Sequence, residues 1–203
     1  MTKEEIEKYV KFVEKIIEDN FINKERKEKV LKMLEEIGDR YFLSPASSKK
    51  EFHCAFPGGL VQHSINILKL MFKMCETLDL KDEISKESLV LVSLFHDLGK
   101  VGSLKELYYV EQTDEWRKNK LGEYYTINKN LNDGLTHAQR SIRLLSQFGI
   151  ELTDEEYCSI LGHDGLYVDS NKSHEMMYNK NKLLRILQFV DSFSTFCIER
   201  DRK

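Results

Sequence analysis

Residues 89–100 read LVLVSLFHDLGK, an apolar run that ends in a histidine, an aspartate, a glycine and a lysine. A helix made from the first part of this run has no polar face, which is typical of a buried central helix. We expect the helix to begin near Ser85 and to continue to about Leu98, where Gly99 ends it. Burying the Asp97 carboxylate at the end of such a run is costly unless a cation or hydrogen-bond donors accompany it.

Helical periodicity extends through most of the chain on either side of this segment. The predicted helices cover about 3–19, 24–41, 60–78, 136–148, 153–162 and 181–200. Residues 42–59 form a long loop that contains both prolines, and residues 101–132 form a small irregular or hairpin excursion. We therefore predict an all-α fold, a single helical bundle, in which a helical extension at 1–41 packs on a domain at 42–203.

The composition is that of an ordinary soluble globular protein. The chain has 203 residues, a net charge of −3, 41% hydrophobic residues and 32% charged residues. This charge balance excludes a strongly basic nucleic-acid binder that works by charge alone. The four cysteines form no CxxC pair, and no apolar segment approaches the roughly 20 residues of a membrane span. We expect a cytoplasmic protein with reduced thiols and no membrane contact.

Six histidine and aspartate residues lie at the ends or on the apolar faces of the predicted helices. They are His63, His96, Asp97, His137, His163 and Asp191. A single buried histidine is more often a hydrogen-bonded core residue than a ligand, but one shared metal site accounts for all of these residues together. Imidazole and carboxylate ligands suit Mn, Fe, Ni or Zn, with Mg as a further option. The lack of cysteine partners argues against a structural zinc site.

The order of His63, the segment FHDLGK at 95–100 and Asp191 resembles the HD-domain metal-dependent phosphohydrolase superfamily. The segment SPASSKKEFHCAFPGGLVQHS at 44–64 is also similar to the branch that includes a bacterial 3′-to-5′ exoribonuclease. The resemblance covers roughly residues 42–200. It implies that residues 42–203 form an HD phosphohydrolase domain.

This resemblance implies a set of metal ligands. His63, His96, Asp97 and Asp191 would hold one divalent ion, and Asp97 would bridge to a second. His137 and His163 match the positions at which two-metal members carry their additional histidine ligands. We favour two ions; the alternative is a mononuclear site in which His137 and His163 contact the substrate instead.

Three further residues are candidates for contact with the substrate. The Lys100 ammonium could neutralise charge on a phosphoryl group, although a lysine at a helix end can equally be a solvated residue stabilised by the helix dipole. Asp164 could orient a ligand or accept a proton, or lie solvated at its helix end. His53, in the long loop, could contact the substrate or support a metal ligand. Asp97 and Lys100 are the predicted catalytic residues.

The resemblance implies a phosphohydrolase that uses metal-activated water on a nucleotide or related small phosphate ester. One alternative is a phosphodiesterase or 3′-5′ exonuclease that acts on short single-stranded nucleic acid. A second is a non-catalytic HD module that senses a ligand. The sequence leaves the oligomeric state and the choice between monoester and diester open.

Overall fold

The computed structural model describes residues 2–131, 133–166, 168–172 and 176–200, and most of them are helical. The longer helices are α1 (Lys3–Asn20), α2 (Lys24–Leu43), α3 (Gly59–Thr77), α4 (Lys86–Phe95), α5 (Glu115–Leu121), α6 (His137–Gln147), α7 (Asp154–Gly162) and α10 (Lys182–Phe193). Two short helices, α8 (Asp169–Lys172) and α9 (Met176–Lys180), precede α10. Two strands, β1 (Tyr109–Glu111) and β2 (Tyr125–Ile127), flank α5. The predicted all-α fold is confirmed.

Helix α4 lies at the centre of the bundle. Its residues from Leu89 to Phe95 are all buried, as the apolar run predicts. The Ser85 hydroxyl caps the first turn by accepting a hydrogen bond from the Ser88 amide. Helices α1, α3, α7 and α10 surround α4, so a residue placed just after α4 lies deep in the protein.

The chain leaves α4 earlier than the sequence predicts. The α-helix ends at Phe95, and a 3-10 turn (Leu98–Val101) follows Asp97. The Ser141 hydroxyl on α6 accepts a hydrogen bond from Gly99 N at 2.7 Å and lies 2.7 Å from the His96 carbonyl oxygen. A side chain thus satisfies backbone groups that another helical turn would have paired, and the turn is fixed against α6.

Residues 101–132 contain the predicted excursion in the form of an antiparallel pair, in which Val110 lies opposite Thr126. Between the strands the chain forms α5, which the sequence reading does not include. The loop before α3 is joined to this excursion through its backbone. Ser48 O accepts hydrogen bonds from the amides of Tyr124 and Tyr125, and Lys50 N donates to Gly122 O. This fixes the loop that carries His53.

The first two helices contribute to the same hydrophobic core as the rest of the bundle. Val13, Ile17, Val30 and Met33 are fully buried within it. The Arg26 guanidinium adds a polar link, since its Nη1 lies 3.2 Å from Glu87 Oε1 on α4 and 3.1 Å from a Glu156 oxygen on α7. That residues 1–41 form an extension distinct from a domain at 42–203 stays a prediction.

The last helix also differs from its predicted extent. The α-helical part of α10 stops at Phe193, and a π-helical turn (Ser194–Ile198) follows. The wider turn leads to Glu199, whose side chain turns inward toward α3. Among the described residues, no helix combines the length and apolar character that crossing a bilayer requires.

Candidate metal centre

Five parts of the chain deliver polar side chains to one point in the bundle. His63 comes from α3, His96 and Asp97 follow α4, and His137 is the first residue of α6. His163 follows α7, and Asp191 lies on α10. The structure thus brings together all six residues that the sequence offers as metal ligands, although they span more than half of the chain.

One half of the cluster lies between α3, α4 and α10. His63 Nε2 is 3.3 Å from His96 Nε2 and 3.2 Å from Asp191 Oδ1. Asp97 Oδ2 is 3.7 Å from both histidine nitrogens. Two imidazole nitrogens and two carboxylate oxygens therefore face a common point.

The other half lies between α6 and α7. His137 Nε2 and His163 Nε2 are 3.2 Å apart. Asp97 Oδ1, the second oxygen of the same carboxylate, lies 3.3 Å from His137 Nε2 and 3.4 Å from His163 Nε2. Asp164 Oδ2 lies 3.2 Å from His137 Nε2. The Asp97 carboxylate therefore stands between two histidine pairs and turns one oxygen toward each.

Hydrogen bonds on the outer side of two histidines decide which nitrogen faces the cluster. His96 Nδ1 lies 3.1 Å from Val92 O, and His163 Nδ1 lies 2.7 Å from Ile160 O. A carbonyl oxygen can only accept, so each Nδ1 carries the hydrogen and each Nε2 can present a lone pair. Metal-binding histidines show this arrangement, in which a fixed Nδ1–H leaves Nε2 for the ion.

The cluster fits a metal site by a second test. Asp97 is 2% exposed, and its Oδ1 makes no conventional hydrogen bond despite its burial. A buried carboxylate oxygen without a donor is costly, and a cation between Asp97 and the histidine pair removes that cost. His63, His96 and Asp97 on one side, and Asp97, His137 and His163 on the other, bring ligand atoms within 4.8 Å of one another.

Neighbouring carboxylates determine the protonation of His63, whereas burial determines that of His96. Burial opposes the charged form of His63, but hydrogen bonds to Asp191 and Glu199 raise its pKa to about 10. Burial dominates for His96 and lowers its pKa to about 4, so that imidazole is neutral. In the metal-free protein, the proton on His63 supplies the positive charge that the surrounding carboxylates require.

Burial and neighbouring charges also determine the protonation of His163 and Asp97 in the other half of the cluster. Burial opposes the charged form of His163, but the Asp164 and Asp97 carboxylates raise its pKa to about 9. Burial also opposes the ionised form of Asp97, yet the cationic Lys100 and the neighbouring histidines hold the pKa of that carboxyl well below its usual range. Asp97 is thus an anion at every pH at which the protein would work.

Lys100, Asp164 and His53, the residues predicted to contact the substrate, all line one cleft. The cleft has a volume of about 480 Å³, and Asp97, His163 and Asp191 lie at its floor. Lys100 Nζ is 2.6 Å from Asp97 Oδ2, and the side chain is only 11% exposed. Burial works against its charge, but Asp97 raises the pKa of Lys100 above its ordinary value, so the ammonium persists.

His53 lies beside His63, with 4.9 Å between the ring centroids. Its Nε2 is buried and has no hydrogen-bond partner. Burial, together with the positive charges of Lys100 and His63, lowers the pKa of His53 to about 3. The ring is therefore a neutral group on the cleft wall, able to form a hydrogen bond to a bound molecule.

Glu199 is a residue of this centre that sequence reasoning missed. Its Oε2 lies 2.8 Å from His63 Nδ1, and its Oε1 accepts from Asn66 Nδ2 and Ser194 Oγ at 2.8 Å each. Three partners hold the carboxylate, which in turn fixes the ring of His63. Glu199 stands in the charged run ERDRK, which resembles a solvated surface, and the π-helical turn that brings it inward leaves no mark in the sequence.

Comparison with known families agrees with this geometry. The model of the HD domain family matches residues 60–195, about two thirds of the chain. The chain belongs to the HD-domain family. The matched span contains all six clustered histidines and aspartates of this HD domain, whereas His53 and Glu199 lie outside it. No curated protein and no solved structure matches the chain.

Proposed function

We propose that this HD-domain protein is a metal-dependent phosphohydrolase that cleaves a phosphate ester of a nucleotide or a related small molecule. The observation that carries the proposal is the Asp97 carboxylate, placed between two histidine pairs at the floor of an open cleft and paired with Lys100. The cleft volume, about 480 Å³, lies within the range of small-ligand sites. This size favours a small substrate over a long nucleic acid.

The ligand atoms divide into two sets that share Asp97. His63, His96 and Asp191 would hold one divalent ion with Asp97 Oδ2, and His137 and His163 would hold a second with Asp97 Oδ1. Ions held there would supply a bound water with a pKa near neutral and would polarise phosphoryl oxygens. Imidazole and carboxylate donors suit Mn, Fe, Ni or Zn, and Mg remains an option.

The protein's own groups prepare the cleft for a phosphoryl group. The Lys100 ammonium lies almost out of solvent, where its charge acts on a bound anion more strongly than in water. The neutral His53 ring also lines this cleft, where it can form a hydrogen bond to a phosphoryl or leaving-group oxygen. Asp164, at the rim beside His137, can accept a proton or a hydrogen bond from a hydroxyl group of the substrate.

Product analysis by mass spectrometry tests the proposal. The purified protein is incubated with Mn²⁺ and with mononucleotides, dinucleotides, cyclic nucleotides and a short oligoribonucleotide. We expect turnover of a small nucleotide class and none by Asp97→Ala, which also loses metal because both ligand sets share that carboxylate. Shortening of the oligoribonucleotide in single-nucleotide steps would instead indicate the exonuclease activity of the similar branch.

A control distinguishes loss of the metal ligands from loss of the folded structure. Asp97→Asn keeps the size of the side chain but removes its charge, and circular dichroism and thermal unfolding report whether each variant is folded. Full turnover by folded Asp97→Ala contradicts the proposal. Metal binding without turnover of any class would favour the ligand-sensing module.

A further inference from the structure

One wall of the cleft above the metal centre is formed by the end of α10 and the π-helical turn that follows it. Besides Asp191, the residues of this wall are Gln188, Ser192, Thr195 and Phe196. Gln188 precedes Asp191 by three residues, so it lies about 60° around the helix and about 4.5 Å along its axis from Asp191. The Gln188 amide therefore stands within one helical turn of a proposed metal ligand.

The Gln188 side chain packs against the turn that follows α7. A Cβ on Gly165 would lie 2.3 Å from Gln188 Nε2, so the amide lies directly against the backbone of this glycine. Gly165 follows Asp164, which also lines the cleft. The amide is thus placed in the cleft by α10 on one side and by this turn on the other.

Gln188 and Ser192 have hydrogen-bonding groups that the protein itself does not use. Neither the Gln188 amide nor the Ser192 hydroxyl forms a side-chain hydrogen bond with another residue that the structure describes. By contrast, Thr195 Oγ1 lies 3.5 Å from Asp191 Oδ1 and so faces the metal centre. An amide and a hydroxyl can each donate and accept. Both groups are therefore available to a molecule bound in the cleft.

The charges of the cleft favour a neutral group beside the bound phosphate. Lys100 is the one lysine or arginine among the described residues that line the cleft, and it is paired with Asp97. A second phosphate would lie near Asp164 without a cation of its own. The Phe196 ring, which is 58% exposed, adds an apolar surface beside the polar groups. A sugar matches this wall, because its hydroxyl groups donate and accept while its C–H face packs against an aromatic ring.

We propose that Gln188 and Ser192 bind the hydroxyl groups of a sugar that carries the phosphate, while the phosphate lies beside Lys100. This deepens the proposed function and rests on it for the position of the phosphate. The two residues then determine specificity. An alkyl chain in place of the sugar would take their water away and leave both polar groups unpaired, and a site of this kind rejects a ligand that lacks the hydroxyl groups.

Binding of phosphonates tests the sugar site separately from hydrolysis, because a C–P bond replaces the ester bond. The Zn²⁺-loaded full-length chain is titrated calorimetrically with the methylene phosphonate analogues of ribose 5-phosphate and glucose 6-phosphate. The third probe is hexylphosphonate, whose alkyl chain carries no hydroxyl group. We expect at least one sugar phosphonate to bind about tenfold or more tightly than hexylphosphonate. Gln188→Met/Ser192→Ala should abolish that preference and leave the affinity for hexylphosphonate unchanged.

Ser146→Ala/Gln147→Met is the matched control. It makes the same two changes at exposed positions near the end of α6, about 14 Å of helical rise from His137. It should leave all three affinities unchanged. Sugar phosphonates that bind no more tightly than hexylphosphonate to the wild type, or a preference that the Gln188→Met/Ser192→Ala variant retains, overturn the sugar site. Equal weakening of all three probes by that variant also overturns it, by assigning the two residues to the structure of the cleft.

Failure of the sugar site and failure of the hydrolase give different results. Hydrolysis of ribose 5-phosphate, glucose 6-phosphate and hexyl phosphate with equal kcat/KM, unaffected by Gln188→Met/Ser192→Ala, retains the phosphohydrolase and excludes the sugar site. A preference for sugar phosphonates that this variant loses, in a protein that hydrolyses no phosphate ester, retains the sugar site and excludes the phosphohydrolase.

Discussion

At the scale of single residues, substitution of Glu199 tests how strongly metal affinity depends on residues that hold the proposed ligands in place. Glu199→Ala removes the carboxylate that fixes the Nδ1–H of His63. We expect the affinity for Mn²⁺ to fall about 10- to 100-fold, with a smaller loss for Glu199→Gln, which can still accept one hydrogen bond. Calorimetric titration measures the affinity, and urea unfolding of the metal-free protein measures the structural effect.

The control for this prediction is Glu35→Ala, which removes an exposed carboxylate from α2. It should leave both the affinity and the free energy of unfolding unchanged. A Glu199→Ala protein that is less stable but binds Mn²⁺ as tightly as the wild type would show a role in folding only.

Metal binding should also depend on pH. Because the pKa of His63 is raised to about 10 and that of His163 to about 9, both carry a proton in the metal-free protein near neutral pH. An ion must displace these protons, so affinity should rise with pH, by about tenfold per unit for each proton displaced. The rise should level off as pH passes about 9 to 10. Titrations in several buffers at pH 6, 7 and 8 measure it, and an affinity independent of pH would contradict the assigned protonation.

The residue pattern predicts which histidines and aspartates cluster better than it predicts the residues that hold them in place. Asp97 stands out because a carboxylate after an apolar run needs a cation, and that argument requires no coordinates. Glu199 offers no such signal, since acidic residues in a charged run are usually solvated. The contact with His63 also joins residues 136 positions apart, and nothing local encodes such a contact.

At the scale of elements, the 3-10 turn that carries Asp97 is held by close packing against α6. A Cβ on Gly99 would lie 2.0 Å from His137 O, so Gly99→Ala must push the turn away from α6. We expect a loss of about 1–3 kcal/mol in the free energy of unfolding, and weaker metal binding because Asp97 and His137 separate. Urea unfolding and calorimetric titration measure the two effects.

Gly38→Ala is the matched control, because its Cβ would meet only the Phe42 ring at an ordinary 3.6 Å. A gain of up to about 1 kcal/mol is expected there from helix propensity. If Gly99→Ala behaved in the same way, the turn would be free to move and the close contact with α6 would not matter.

Some helix boundaries follow from the local sequence, whereas others depend on packing against distant residues. Thr153 and Glu156 form a capping box in the structure, and the sequence predicts the start of α7 from that spacing. The sequence predicts the end of α4 too late. The His96 carbonyl oxygen accepts a hydrogen bond from the Ser141 hydroxyl, 45 residues away, instead of from the next helical turn. The π-helical turn after Phe193 and the short helix α5 are likewise set by contacts that periodicity does not report.

At the scale of the whole molecule, Arg26 links the first two helices to the bundle that carries the metal centre. Its guanidinium pairs with Glu87 and Glu156, and the Glu156 side chain is fully buried. Arg26→Met leaves two carboxylates without their cation and should lower the free energy of unfolding by about 3–5 kcal/mol. Lys15→Met, which breaks an exposed pair with Asp19, should have no measurable effect in the same urea unfolding experiment.

An unchanged stability of Arg26→Met would mean that the apolar contacts of α1 and α2 alone hold them in place. The sequence predicts that these helices pack on the rest of the chain, because each has one apolar face. It does not predict the Arg26 link, since arginine in a charged helix face is usually solvated.

The metal centre takes its residues from widely separated parts of the chain, and Glu199 meets His63 across 136 positions. During synthesis, α3 and α4 leave the ribosome long before α10. His63 and His96 are therefore present in the growing chain before Asp191 and Glu199 have been added. The group of Asp97, His137 and His163 is complete once residue 163 has been synthesised, whereas the group around His63 still lacks Asp191. An ion between α3, α4 and α10 would therefore meet Asp191 only late in synthesis, and the Glu199 carboxylate that fixes His63 later still.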